Sequence, residues 1–363
     1  MNSSGLEGVV AMDTYLSEVD GERGRLVVAG YDIEELALSA GFAGAAHLLW
    51  TGQRPSAEAE ARLGRALGQG RRWAFDHLRG GLEEQDPMAS LASGLAALEL
   101  PKDADAETQR AHLAAAVPVL VAAWWAHQSG RALLAPEPGA PHAQDILRLI
   151  NGQLPAPALA RALETYLVTV MDHGMNASTF TARVVASTGA SDKLALSAAV
   201  GALSGPLHGG APGPVLDMLD AIGSEDRARS WLDAELAAGR RIMGMGHRIY
   251  RVRDPRVVVL ERAAEALSRA GHSTQRLRLA RAVEAAAESL LAKKHPDRAL
   301  KANVELATAV LLDAAGVPRQ LFSPMFAVGR AVGWLAHIAE QKRTGRLIRP
   351  DARYIGPSAP PPG

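Results

Sequence analysis

Leu113-Ala114-Ala115-Ala116-Val117-Pro118-Val119-Leu120-Val121-Ala122-Ala123-Trp124-Trp125-Ala126 is the longest strictly apolar run in the chain. It falls short of the roughly 20 residues that a membrane span requires, and Pro118 interrupts it. The run therefore reads as a buried helix around a kink, and a helix apolar on every side needs other helices packed around it. The surrounding sequence agrees: Ala and Leu dominate, Thr, Ile and aromatics are sparse, and apolar residues recur at three and four positions. Ala57 to Phe75, entered through Pro55-Ser56, and Glu225 to Ala238, with Ser224 before it and Gly239 after it, carry helix start and stop signals. The front of the chain differs. Val9 to Met12, Tyr15 to Val19 and Arg25 to Ala29 flank the turn sequence Asp20-Gly21-Glu22-Arg23-Gly24, which predicts a small hairpin. Residues 135–142 read as a surface loop, residues 205–214 as a structured turn, and Pro357 to Gly363, rich in proline, as a disordered tail.

At 363 residues the chain exceeds one ordinary core, which favours two lobes or one large domain. Apolar residues at 48% can fill such a core, and the balance of 39 basic against 39 acidic residues leaves no global field to hold a polyanion. No cysteine is present, which excludes disulfides, thiolate metal sites, iron–sulfur clusters and a thiol nucleophile, and suits a reducing, cytoplasmic compartment. Met1 to Val10 has neither the basic nor the apolar region of a signal peptide.

Three histidines sit among small residues: His173 in Asp-His-Gly-Met-Asn-Ala-Ser, His208 in Gly-Pro-Leu-His-Gly-Gly and His247 in Gly-Met-Gly-His-Arg. Glycine neighbours let a ligand approach the backbone closely. His47, His77, His112, His127 and His337 fall in helical patterns and read as structural. The three glycine-flanked histidines lack the i, i+4 spacing of a helical metal site, so no metal is expected. Gly244-Met245-Gly246 lacks the third glycine and the preceding strand of a dinucleotide loop. Arg248, Arg251, Arg253 and Arg256 surround Asp254-Pro255, with Arg330 and Arg349 further on, and guanidinium forks of this kind hold carboxylates.

Together these segments resemble the citrate synthase family from Gly5 to Pro357. The resemblance rests on Gly5-Leu6-Glu7-Gly8-Val9, Gly24-Arg25-Leu26 and Gly30-Tyr31-Asp32 at the front, then on Asn176-Ala177-Ser178-Thr179-Phe180 and Gly205-Pro206-Leu207-His208-Gly209-Gly210. Gly246-His247-Arg248-Ile249-Tyr250, Asp254-Pro255-Arg256, Asn303-Val304-Glu305 and Arg349-Pro350 complete it in family order. It implies a mostly α, two-domain helical fold with a small N-terminal β-hairpin: a large domain from 1–209 and 317–363, and a small domain, 210–316, hinged near Gly209-Gly210 and Gly316. It further implies a cytoplasmic homodimer of the tricarboxylic acid cycle that condenses acetyl-CoA with oxaloacetate, with no tightly bound cofactor, no nucleic acid or membrane partner and no added N-terminal regulatory domain.

By that resemblance Glu305 is the base, His208 donates to the thioester oxygen and His247 activates the ketone. His173, Asn176, Arg256, Arg330 and Arg349 bind oxaloacetate, the last from the partner subunit. Arg251, Arg298 and Lys301, near Lys293 and Lys294, are the candidate CoA contacts. The positive end of a helix beginning near Pro214 is expected to keep His208 neutral. Two positions depart from the family: Glu305 replaces its usual aspartate, and Pro212-Gly213 replaces an asparagine followed by a longer polar residue. A 2-methylcitrate synthase using propionyl-CoA, and a non-catalytic acyl-CoA or dicarboxylate-binding homologue, are the alternatives.

Overall fold

The structure, a computed structural model, describes residues 5–6, 8–101, 103–208, 212–272, 275–296, 298 and 300–357. The expected Gly209-Gly210 hinge and the tail beyond residue 357 lie outside them. The front forms an antiparallel sheet of β1 (Ser17–Asp20), β2 (Arg25–Val28) and β3 (Tyr31–Asp32), with Ser17 opposite Val28 and Asp20 opposite Arg25. The Asp20 carboxylate closes the first turn by accepting the N–H groups of Glu22 at 3.1 Å and Arg23 at 2.9 Å. Two expectations change here. Val9 to Met12 forms no strand, and the hairpin gains β3 because Ala29 and Gly30, both at positive φ, reverse the chain immediately after β2.

Asp32 then caps α1 (Ile33–Ser39) through the Glu34 N–H, and α2 (Phe42–Thr51) follows. Next come α3 (Ala57–Asp76), α4 (Pro87–Ala97) and α5 (Ala106–Gln128), which contains Pro118 and the apolar run. Every residue of that run is buried except Trp125, which is half-buried. Around α5 lie α3, α4, α6 (His142–Asn151) and, near the end of the sequence, α15 (Phe322–Thr344). Residues 135–142 form the expected surface loop, mostly exposed, and it is anchored from the interior. Buried Arg71 of α3 bonds Asp145 at 2.7 Å and donates to the carbonyls of Glu137 and Ala140 at 3.2 and 2.9 Å.

The second half continues with α7 (Pro157–Thr169), α8 (Ala177–Ser187), α9 (Asp192–Leu203), α10 (Pro212–Ile222) and α11 (Ala228–Ala237). It ends with α12 (Pro255–Arg269), α13 (Gln275–Lys294), α14 (Val304–Ala314) and α15. The helix expected from Glu225 begins as a 3₁₀ turn over Glu225–Arg227, and the Ser224 side chain caps none of its N–H groups. Helix α12 packs on α7, α1 and α14. Helix α15 is long and apolar enough to cross a membrane, but its apolar stretch is 89% buried among α2, α4, α5, α7, α8, α9 and α10. A Cβ at its Gly333 would sit 2.2 Å from the Met171 carbonyl, so glycine lets α15 approach the chain directly after α7. That approach brings Arg330 against the segment bearing His173.

Candidate active site

Three helix N-termini carry this site, each closed by its own side chain. Asn176 caps α8 by accepting the Thr179 N–H at 3.1 Å, Asp254 caps α12 through the Arg256 N–H at 3.0 Å, and Asn303 caps α14 through the Glu305 N–H at 3.1 Å. Helix starts favour anionic ligands, since their unpaired N–H groups and dipoles present positive charge.

His247 lies in the loop ahead of α12. Its Nδ1 accepts the main-chain N–H groups of Ile249 and Tyr250, both at 3.0 Å, so the ring proton resides on Nε2 and that edge is a donor. Burial, followed by the positive charge of Arg256, pushes its pKa down to about 4, and the ring is neutral near pH 7. The His173 ring stands 5.6 Å away, edge-on, and its Nε2 meets the buried Tyr250 hydroxyl at 3.1 Å. Burial, aided by Arg256 and Arg330, holds His173 well below the usual imidazole range.

His208 closes the turn after α9. The Ser178 N–H points at its Nε2 from 3.3 Å, which leaves Nδ1 to carry the proton, and the Ser178 hydroxyl lies 2.8 Å from the same Nε2. That hydroxyl also bonds Asn176 Oδ1 at 2.8 Å and accepts from Trp334 at 3.2 Å. The pKa of His208 falls to about 4, as expected for a neutral donor, but the leading causes are burial and then Arg330 rather than a helix end.

Arg256 is buried and forked onto Asp254, with contacts of 3.0 and 2.7 Å. Arg330, also buried, donates from Nε to the Val170 carbonyl at 2.6 Å and lies 4.8 Å over the Phe326 ring. Burial lowers its pKa to about 10. The charges of both guanidiniums reach Tyr166 of α7, whose buried hydroxyl has no hydrogen-bond partner among the described residues. Glu305 stands on the first turn of α14. Burial raises its pKa, opposed by Arg256, and Asn303 ties its helix start to the His247 loop by donating to the Gly246 carbonyl at 2.9 Å. A carboxylate whose proton affinity is raised, two neutral donor imidazoles and two buried guanidiniums can abstract a carbon-bound proton beside a bound polycarboxylate.

The structure thus gathers His173, Asn176, His208, His247, Arg256, Glu305 and Arg330 within one network of contacts and mutual charges. Arg349 is not part of it: it is exposed, beyond a segment tied to α8 by the Ile348 N–H on Ser187 at 3.0 Å. The side chains of Arg251 and Arg298 are exposed, and Lys301 is paired with Glu288 at 2.7 Å. Reading by sequence missed Tyr250, Ser178 and Asp172. Asp172 is fully buried, bonded by His337 at 3.1 Å and by Ser17. All three sit inside quoted motifs, yet the partners of Tyr250, Ser178 and Asp172 lie 77, 30 and 165 residues away. Among the described residues no group of three or more His, Asp or Glu side chains is arranged to hold a metal.

The frame and the site are those of a helical acyltransferase, and the similarity to known proteins extends over the whole chain. It matches citrate synthase from Thermotoga maritima with a TM-score of 0.85 and 32% identity, covering 99% of this chain and 97% of that one. It also matches, at a TM-score of 0.87 and 26% identity over 99% and 97% of the two chains, the ternary complex of carboxymethyl coenzyme A and oxaloacetate with citrate synthase from Thermoplasma acidophilum. The citrate synthase of Haloferax volcanii is 37% identical over 97% of this chain and 95% of its own. The family described as citrate synthase, C-terminal domain, matches residues 5–351. This chain belongs to the citrate synthase family.

Proposed function

We propose that this chain is a citrate synthase acting as a cytoplasmic homodimer on acetyl-CoA and oxaloacetate. The Glu305 carboxylate takes a proton from the acetyl methyl group while His208 Nδ1–H donates to the thioester oxygen, stabilising the enolate. The enolate carbon attacks the oxaloacetate ketone carbon, and His247 Nε2–H donates to the ketone oxygen as it becomes the hydroxyl of citryl-CoA. Water then cleaves the thioester to give citrate and the free thiol of CoA. Arg256, Arg330 and the partner's Arg349 hold the carboxylates, with His173 and Asn176 beside them. Arg251, Arg298 and Lys301 meet the CoA phosphates, Lys301 after leaving Glu288. The segment 210–316 is the small domain that closes over the two substrates.

The observation that carries this reading is His247, whose Nδ1 is occupied by two main-chain N–H groups so that a neutral Nε2–H is preset as donor under the charge of buried Arg256. A thiol-release assay tests it. Release with acetyl-CoA that requires oxaloacetate, and exceeds the rate with propionyl-CoA, is the expected result. Faster release with propionyl-CoA would make the chain a 2-methylcitrate synthase, and no release with either would leave a binding protein.

A further inference from the structure

The N-terminal sheet lies against both loops that present histidines. We propose that it is a clamp in which Gly21 and Ser17 act as positioning residues for His247 and His173, an inference that rests on the citrate synthase reading. At the turn, the Gly21 carbonyl accepts the Arg251 N–H at 2.9 Å. A Cβ at Gly21 would lie 2.4 Å from the Ile249 carbonyl oxygen and 2.9 Å from its carbon, and both are main-chain atoms that cannot swing aside. The same peptide unit carries the Tyr250 N–H that bonds His247 Nδ1. Rotating this peptide to relieve the clash turns that N–H away from the imidazole, because the amide is planar. Gly21 therefore backs the peptide that fixes which His247 nitrogen holds the proton.

The other end of β1 reaches the second histidine. The Ser17 hydroxyl donates to Asp172 and accepts the Gly174 N–H at 3.1 Å, so it ties down both residues flanking His173. Val19 packs over Gly174, where a Cβ would lie 3.1 Å from its methyl. One four-residue strand and its turn thus hold the His173 segment and the His247 loop, which are about 75 residues apart in the chain.

The test uses the full-length protein with Gly21→Ala, Ser17→Ala and, as a control, Gly64→Ala, a site on α3 where a Cβ meets nothing within 4 Å. For Gly21→Ala the expected result is kcat reduced by about tenfold or more, with KM for acetyl-CoA at saturating oxaloacetate within about twofold. Amide hydrogen exchange in peptides spanning 247–252 should be faster, and exchange in α5 unchanged. Ser17→Ala should raise KM for oxaloacetate by about fivefold with kcat within about twofold, and Gly64→Ala should leave all of these unchanged. Should Gly21→Ala fail to fold, the KM-against-kcat split of Ser17→Ala decides. Kinetics and exchange equal to wild type in the folded variants would overturn the clamp while leaving the enzyme assignment standing. If the wild-type chain showed no turnover, that assignment would fail, and the exchange arm would decide the clamp by itself.

Discussion

Glu305 is anchored through its backbone: its N–H donates to Asn303 Oδ1, and the Asn303 amide donates to the Gly246 carbonyl in the His247 loop. With the backbone held in place, Glu305→Asp draws the proposed base back by one methylene and should be slower by about tenfold to a hundredfold in kcat. Glu305→Gln, which keeps the shape but cannot accept a proton, should lose at least about a hundredfold while calorimetric oxaloacetate affinity stays within about threefold. A Gln variant retaining more than about a tenth of the wild-type rate would remove Glu305 from the role of base. Because burial raises the pKa of Glu305, the acid limb of the kcat profile should lie above the ordinary carboxylate range, with the rate falling as pH drops and the group protonates. At this scale the three histidines that the fold brings together were legible, because glycine neighbours mark His173, His208 and His247 in one dimension. Their tautomers were not, since each depends on a partner such as the Ser178 N–H that only the fold delivers.

Helix caps transmit position from element to site. Asp254 both caps α12 and neutralises Arg256, with the two side chains 0% and 3% exposed, so Asp254→Ala removes a cap and strands a buried charge. The expected loss, read from urea denaturation midpoints, is about 3–5 kcal/mol. Asn303→Ala should cost only about 1 kcal/mol for its cap yet lower kcat by about tenfold, because it also cuts the tie between α14 and the His247 loop. Equal stability losses in the two variants would contradict this ranking. Periodicity and caps sufficed for long elements such as α3, whose Ser56 cap is as expected. They did not show that the helix after Ser224 would open with a 3₁₀ turn, nor that Arg71 would reach from the interior to anchor the 135–142 loop.

For the molecule as a whole, four histidines are kept below the ordinary imidazole pKa: His142, stacked 4.7 Å from Phe42, and His173 well below it, His208 and His247 at about 4. Unfolding restores them to about 6.5, so between roughly pH 4 and 6.5 the unfolded chain binds more protons than the native one. Stability should be full above about pH 6.5 and fall as the pH is lowered through that window, the raised Glu305 opposing with a single group. Denaturation midpoints that stay level from pH 7.5 to 5 would contradict it. Exposed Arg349, outside its own chain's site, leads to a second expectation. Mixing an Arg349→Ala chain with a His208→Ala chain and allowing subunit exchange should restore activity, since one site of each heterodimer then carries both defects and the other neither. Confirmed heterodimers with no recovery would place Arg349 within its own subunit.

Helix α15 bears Arg330, Trp334 and His337 and covers the faces of seven earlier helices among the described residues. The ribosome delivers it about 200 residues after α5, which at typical elongation rates is a wait of roughly 10–40 s. Throughout that interval the apolar run of α5 and its neighbours lack a partner they are packed on in the finished fold, so neither the core nor the site can be completed while the chain is still being made. The nascent protein should therefore engage chaperones that shield apolar helices, and ribosome-stalled chains ending before Phe322 should be far more sensitive to protease than chains extended past Thr344 and clear of the exit tunnel.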